Sequence, residues 1–447
     1  MRYRWLAIAL LLMNVSLASA HGLLLDSCLT VTSSIYPNAS HAISLYVPEQ
    51  YHDGDTACLY VGLDGVLCNA PAVFDKLIAA GAMPVTVGVF VQPGVVRDGS
   101  GKVMRYNRCY EFDAVTPRFA AFLEELVYDR IDGYKLPDGR TIRIARDGNR
   151  HAIFGASSGG IAALVAAWHR PDLFRRVFSA VGTFVAMRGG NELQAIIRKS
   201  EPRPLRVILQ DGTADAWNPL FGSWWEGNQL LASALQFNGM ECRFDWGDTG
   251  HSIARANEIF ADAMCWLWQD YPEEVAIGRS QNDFLQSIEA DTVGSHWVAD
   301  SYDAFNLDLN IAPQSVAYYP DSTLMAVSRH DLGNRIWQYI VPESGTPIAG
   351  EPFYYLHRLE PDPLEVRCMA FDGDGNLWAV TSIGIQILDQ NGRVRAILAL
   401  PDGIEASQIN FITIKEGEVA LHSTSYIFTR QLKVKATSGS PVSQGQG

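Results

Sequence analysis

One serine, one aspartate and one histidine occur in an order that can do covalent chemistry. Residues 150–167 read RHAIFGASSGGIAALVAA: an apolar run, then Gly155-Ala156-Ser157-Ser158-Gly159, then an alanine-rich stretch. G-x-S-x-G between a strand and a helix puts the serine on a sharp turn, with glycines where the two elements approach. The plain alternative is a Gly/Ser-rich turn without chemistry. A serine hydroxyl needs a base to take its proton and an acid to orient that base. The apolar run Leu205–Leu209 is followed by QDGTAD, which offers Asp215, with Asp211 as a competitor better suited to ordering the turn. The run Glu241–Trp246 is followed by GDTGHS, which presents His251. His151 starts the apolar run before the serine and His169 sits beside Pro171, so both fit the base position less well. The amide of Ser158, at a helix N-terminus, would face negative charge developing on a substrate oxygen. Gly65, in the Asp64-Gly65 turn after the apolar run Leu59–Leu63, is the candidate second donor.

These groups require a scaffold that ends several strands at one edge. From about Val47 to Tyr271 the sequence alternates short β-rich runs with helical patterns. Strands are expected over Ala57–Leu63, Pro84–Val91, Arg150–Phe154, Leu205–Leu209 and Glu241–Trp246. Helices are expected over Ala72–Ala80, Pro117–Arg130 and Gln229–Phe237. Continuous apolar strands alternating with helices indicate an α/β fold, a doubly wound parallel sheet covered on both faces. Beyond Pro272–Ser280 the pattern becomes short strands separated by turn clusters at 320–322, 372–376, 391–392 and 401–403, which indicates an all-β unit.

Composition narrows the partners. A net charge of −14 repels phosphate backbones and anionic lipid, so neither nucleic acid nor a membrane is an expected partner. Arg2 and Arg4 precede an apolar run ending near Met13, and Ala18-Ser19-Ala20 has signal-peptidase spacing, so 1–20 is expected to be a signal peptide of an exported, periplasmic or secreted, protein. An uncleaved anchor is the alternative. Seven cysteines at scattered spacings, with no C-x-x-C pair, support neither a zinc site nor a redox motif. One or two disulfides are compatible with export.

With serine, acid and histidine in place, residues 47–271 resemble the esterase D family, which includes enterochelin, feruloyl and acetylxylan esterases. The resemblance rests on Asp64-Gly65 after a strand, NRCYEFD at 107–113, GASSGGIAALVAAWHRPDLFRRVFS at 155–179, LQDGTADAWN at 209–218 and WGDTGHS at 246–252. It implies an α/β-hydrolase fold, a carboxylic-ester hydrolase working through an acyl-enzyme on Ser157, and no metal or organic cofactor. Trp217, Asn218, Trp224 and Trp225 follow the acid, and aromatic faces beside amides suit a sugar or feruloyl ring. Covering the sheet edge is their alternative role. Arg108 and Glu111, with Arg105, are candidates for the cleft wall or for an ion-pair network that fixes the loop.

The later part resembles another family. FDGDGNLWAV at 371–380, GIQILD at 384–389 and NGRV at 391–394 look like blades of the gluconolactonase and senescence-marker propellers. The segment is long enough for about three blades, too few to close a ring. That family's metal-ligand positions read Pro313-Gln314-Ser315 and Arg367-Cys368-Met369, and an arginine opposes a divalent cation. No metal is expected, and this part reads as an accessory module. An open partial propeller exposes strand edges, so self-association or docking is expected. The expected organisation is signal peptide 1–20, hydrolase domain 21–275, linker 276–282, partial propeller 283–437 and disordered tail 438–447. The competing functions are a catalytically silent glycan-binding protein and, third, a metal-dependent lactonase.

Overall fold

The computed structural model describes residues 22–280, 289–301, 315–328, 335–357, 364–415 and 417–432. The expected signal peptide, the tail, the end of the linker at 281–282, and Pro313 and Gln314 lie outside the described residues. The chain divides into two compact units. The first runs to Asn191 and includes Pro204–Ala232 and Glu241–Ala276, and the second takes Glu192–Arg203, Ser233–Met240 and Ile277 onward.

The first unit is built on a ten-stranded mixed sheet. Its strands are β1 (Leu23–Thr32), β2 (Ala39–Val47), β3 (Cys58–Leu63), β4 (Thr86–Val91), β5 (Val95–Arg97), β6 (Val103–Tyr106), β7 (His151–Ala156), β8 (Arg176–Ala180), β9 (Arg206–Gly212) and β12 (Glu241–Gly247), while the short β10 (Trp217–Asn218) and β11 (Gly222–Ser223) pair only with each other. They lie in the order β12-β9-β8-β7-β3-β4-β2-β5-β6, with β1 beside β2. The run from β12 to β4 is parallel. Strands β1, β2, β5 and β6 join it antiparallel at the far edge, a part that the sequence pattern did not predict. A parallel strand buried on both faces needs apolar residues throughout, and β3, β4, β7, β8 and β9 are buried at every position.

On one face Tyr60, Phe154, Phe178 and Ile208 pack under Phe74 and Leu77 of the helix Ala70–Ala79, and under Phe260 and Met264 of the helix Ala254–Leu267. The helix Ser158–His169 lies against β7 and β8 and is buried from Ser158 to Trp168, so its alanines and glycines replace the usual amphipathic stripe. The expected helix over Pro117–Arg130 is α-helical only over Arg118–Glu125 and continues as a π-helical turn, Leu126–Ile131. All seven cysteines are free, so the expected disulfides do not form.

The later unit is all-β in its described sheets, with one five-stranded and two four-stranded sheets. The strands Val366–Phe371, Leu377–Thr381, Gly384–Leu388 and Val394–Leu398, with Glu289–Asp291 at the edge, form the five-stranded sheet. One of its faces shares a core with Ala326, Ile336 and Tyr354, and the other shares one with Ile412, Leu421 and Phe428. The turn clusters read from sequence at 320–322, 372–376 and 391–392 join consecutive strands of these sheets. Among the described residues no helix is long and apolar enough to cross a membrane.

Candidate active site

Strand β7 ends at Ala156 and the next helix begins at Ser158, leaving Ser157 alone to turn the chain. Its backbone takes φ 57 and ψ −120, a region that side-chain-bearing residues avoid and that costs about 1–3 kcal/mol. The turn closes because Gly155 has no side chain: a Cβ there would lie 2.1 Å from the carbonyl oxygen of Gly159. The strain lifts Oγ of Ser157 out of the sheet, 2.8 Å from Nε2 of His251 and 3.3 Å from Oγ1 of Thr183.

His251 arrives from the loop after β12, and Asp215 from the loop after β9. Nδ1 of His251 is 2.6 Å from Oδ1 of Asp215. A carboxylate can only accept, so Nδ1 carries the proton and Nε2 is left to accept from the serine. Burial alone would raise the Asp215 pKa, but hydrogen bonds from His251, Asp211 and the amide of Ala216 hold it below the ordinary carboxylate value. The competitor Asp211 lies on β9, wholly buried, with Oδ1 accepting the amide of Gly212 at 2.8 Å. Its carboxyl is pushed above the ordinary range, first by burial and then by Asp215.

The sequence-predicted neighbours sort differently. Ser158 opens the helix, where a first-turn amide has no intrahelical acceptor, and its hydroxyl donates to Oδ2 of Asp113 at 3.1 Å. Gly65 does not serve as the second oxyanion donor. Its amide donates to the carbonyl of Val91 at 3.2 Å, which extends the β3–β4 ladder by one residue. Arg108 grips Asp64 through two bonds of 2.6 and 2.8 Å and reaches the carbonyl of Ala156 at 3.3 Å, tying the loop after β3 to the elbow. Glu111 does not line the cleft. It is fully buried, with His41, the side chain of Asn107 and the amide of Gly94 on its oxygens, so it fixes the loop.

The tryptophans also divide. Trp224 is buried beside the site, its Nε1 donating to Oγ1 of Thr183 at 3.2 Å and its ring meeting that of His251 edge-on at 5.7 Å. It supports the imidazole and offers no stacking face. Trp225 packs edge-on against Trp246 at 5.5 Å. Trp217 is 70 % exposed, a free aromatic face on the loop after Asp215. Asn218 does not reach outward: its side chain accepts the amides of Leu220 and Phe221 and closes its own turn. Sequence reasoning missed Thr183, whose local pattern does not say that it meets the elbow, and it read Asp113 only as the end of the NRCYEFD motif without giving it a role. A cavity of about 660 Å³ near the Asp64-Gly65 loop is lined by Gln92, Arg97, Tyr106 and Arg108. Among the described residues no group of three or more His, Cys, Asp or Glu side chains could hold a metal ion.

Comparison with known proteins bears on this region. Residues 34–240 match the model of the esterase family, described as putative esterase. No curated protein matches the chain. Among solved structures, a ferulic acid esterase is 14% identical with a TM-score of 0.41, over 56% of this chain and 98% of its own. The enterobactin esterase of Shigella flexneri is 19% identical with a TM-score of 0.40, over 56% of this chain and 60% of its own. The S-formylglutathione hydrolase of Staphylococcus aureus is 10% identical with a TM-score of 0.37, over 56% of this chain and 99% of its own. The family match spans β2 to β9 with Ser157 and Asp215 inside it, and over this region the chain is a carboxylic-ester hydrolase.

Proposed function

We propose that the chain hydrolyses carboxylic esters through an acyl-enzyme on Ser157, with His251 as general base and Asp215 as its orienting acid. The observation that carries this reading is the unbroken series of contacts from Oγ of Ser157 to Nε2 of His251 at 2.8 Å and from Nδ1 to Asp215 at 2.6 Å. As Oγ attacks the acyl carbon, Nε2 takes its proton, and the imidazolium then returns that proton to the departing alcohol. A water repeats the sequence and frees the acid. Asp215 stays ionised throughout and holds the proton-bearing Nδ1 in place. The amide of Ser158 faces the oxygen on which charge develops.

For the substrate we propose a carbohydrate-linked acetyl or feruloyl ester or another small acyl ester. The exposed ring of Trp217 and a cavity with Tyr106, Gln92 and Arg108 on its wall support that choice. The later unit is proposed to be a partial propeller of about three blades acting as an accessory module, supported by its three separate sheets. Export follows from the N-terminal apolar segment and is part of the same proposal. The deciding experiment compares p-nitrophenyl acetate and methyl ferulate hydrolysis by wild type and Ser157→Ala. Loss of turnover by a factor of about 10⁴ or more is expected, and turnover that survives the substitution removes Ser157 as nucleophile.

A further inference from the structure

A second aspartate is buried beside the acid of the site, and the chemistry above does not use it. Asp211 and Asp215 stand at the end of β9 and in the loop after it, and both side chains are closed to solvent. Each has one oxygen engaged by amide or imidazole donors: Oδ1 of Asp211 by the amide of Gly212, and Oδ1 of Asp215 by His251 and the amide of Ala216. Each has its other oxygen, Oδ2, buried with no such donor. The two carboxyl groups lie close enough for each to act on the other.

Two ionised carboxylates cannot bond to each other, because both only accept. One shared proton satisfies both orphaned oxygens, which otherwise stay buried and unpaired. Asp211 is its holder. Burial and then the Asp215 charge favour its acid form, while the hydrogen bond from His251 helps keep Asp215 ionised. The side chain of Asn228 also reaches Asp211 and by itself favours the ionised form. Its Nδ2, however, donates to the carbonyls of Gly182 and Trp224, and its Oδ1, buried without a donor, competes with Asp215 for the acid proton. A charged acceptor wins that competition, since charge-assisted bonds are roughly twice as strong as neutral ones.

We propose that Asp211 is a positioning residue carried as a carboxylic acid, whose proton bonds to Oδ2 of Asp215 and fixes the other oxygen on His251. This rests on the reading of Ser157, His251 and Asp215 given above. The charged group facing Asp211 is Asp215, with His251 beyond it. Strand β12 sets Trp246 opposite, the adjacent Asp245 is held by Arg255 at 2.8 Å, and Glu226 on the helix of Asn228 is exposed. In alkaline solution Asp211 loses its proton, and two anions face each other behind the imidazole.

The test uses the full-length protein with Asp211→Asn, which can donate but never ionises, and Asp211→Leu, which cannot donate. For each, kcat and KM on p-nitrophenyl acetate are measured from roughly pH 6 to 10, together with the low-field NMR proton between His251 and Asp215. The wild type is expected to lose activity at the alkaline end. Asp211→Asn keeps about a tenth or more of the wild-type kcat and lacks the alkaline fall. Asp211→Leu loses about a hundredfold in kcat with little change in KM, and its low-field proton shifts or broadens. An alkaline fall that persists in Asp211→Asn overturns the proposal, as does equal activity of the two variants. Should Asp211→Leu not fold, the Asp211→Asn profile decides. Absence of Ser157-dependent turnover in the wild type removes the catalytic reading instead, and the NMR proton still reports whether Asp211 holds Asp215.

Discussion

The two units each contain a buried aspartate followed by glycine at the end of a strand, and they treat these aspartates in opposite ways. In the later unit Asp372 sits between two strands, where Oδ1 accepts the amides of Asp374 and Asn376, and Oδ2 accepts the side chains of Asn376 and Trp378. Four donors saturate one carboxylate. In the first unit Asp211-Gly212 ends β9, and an oxygen of Asp211 and an oxygen of Asp215 are left buried without a donor. A saturated carboxylate holds a turn. An unsaturated pair beside a histidine keeps charge in reserve where an imidazolium must form. Residue type and spacing alone do not tell these cases apart; the inventory of donors does.

That contrast can be broken by mutation. Asp215→Asn should cost about 10⁴ in kcat, because an amide favours the wrong imidazole tautomer, while the unfolding midpoint in urea stays close to wild type. A loss below about tenfold would remove Asp215 as the orienting acid. Asp372→Ala should do the reverse. It strands four donors and should destabilise the later unit by about 3 kcal/mol, read as an earlier unfolding transition, with kcat/KM on p-nitrophenyl acetate within about twofold of wild type. Loss of activity in that variant would end the distinction between the two aspartates.

The acid form of Asp211 is favoured in the folded chain, so the folded state binds a proton that the unfolded state releases. Stability from this group is complete below the ordinary carboxylate range and is lost as pH rises towards the raised folded value. Asp211→Asn avoids that loss. Its melting temperature should exceed wild type by a few degrees near pH 8, with the gap closing as pH falls to about 4. A gap of the opposite sign would mean that Asp211 is ionised in the fold.

The strands that end at the site were legible to different degrees: burial on both faces forces the apolar run Leu205–Leu209, whereas the edge strand β12 is half-buried throughout and keeps Glu241, Arg243 and Asp245. Ser157 was legible because a strained turn demands glycine around it. The order of serine, aspartate and histidine followed from strand ends alone. What was not legible depends on tertiary approach. Gly65 looks like an oxyanion donor until the β3–β4 ladder claims its amide. Glu111 looks like a cleft residue until His41, distant in sequence, closes over it. The antiparallel edge strands escaped because β1 is half exposed and irregular in its pairing, which blurs its alternation.

The backbone of Ser157 is held in its unfavourable shape by the close seating of Gly155 on Gly159. Such a joint works like a latch under load, secure only while the helix and the sheet are pressed together. Slight loosening between β7 and the helix beneath it lets the serine relax to an ordinary conformation and withdraw its hydroxyl, long before any strand parts from its neighbour. On warming, then, the enzyme should fall silent while its secondary structure is still intact.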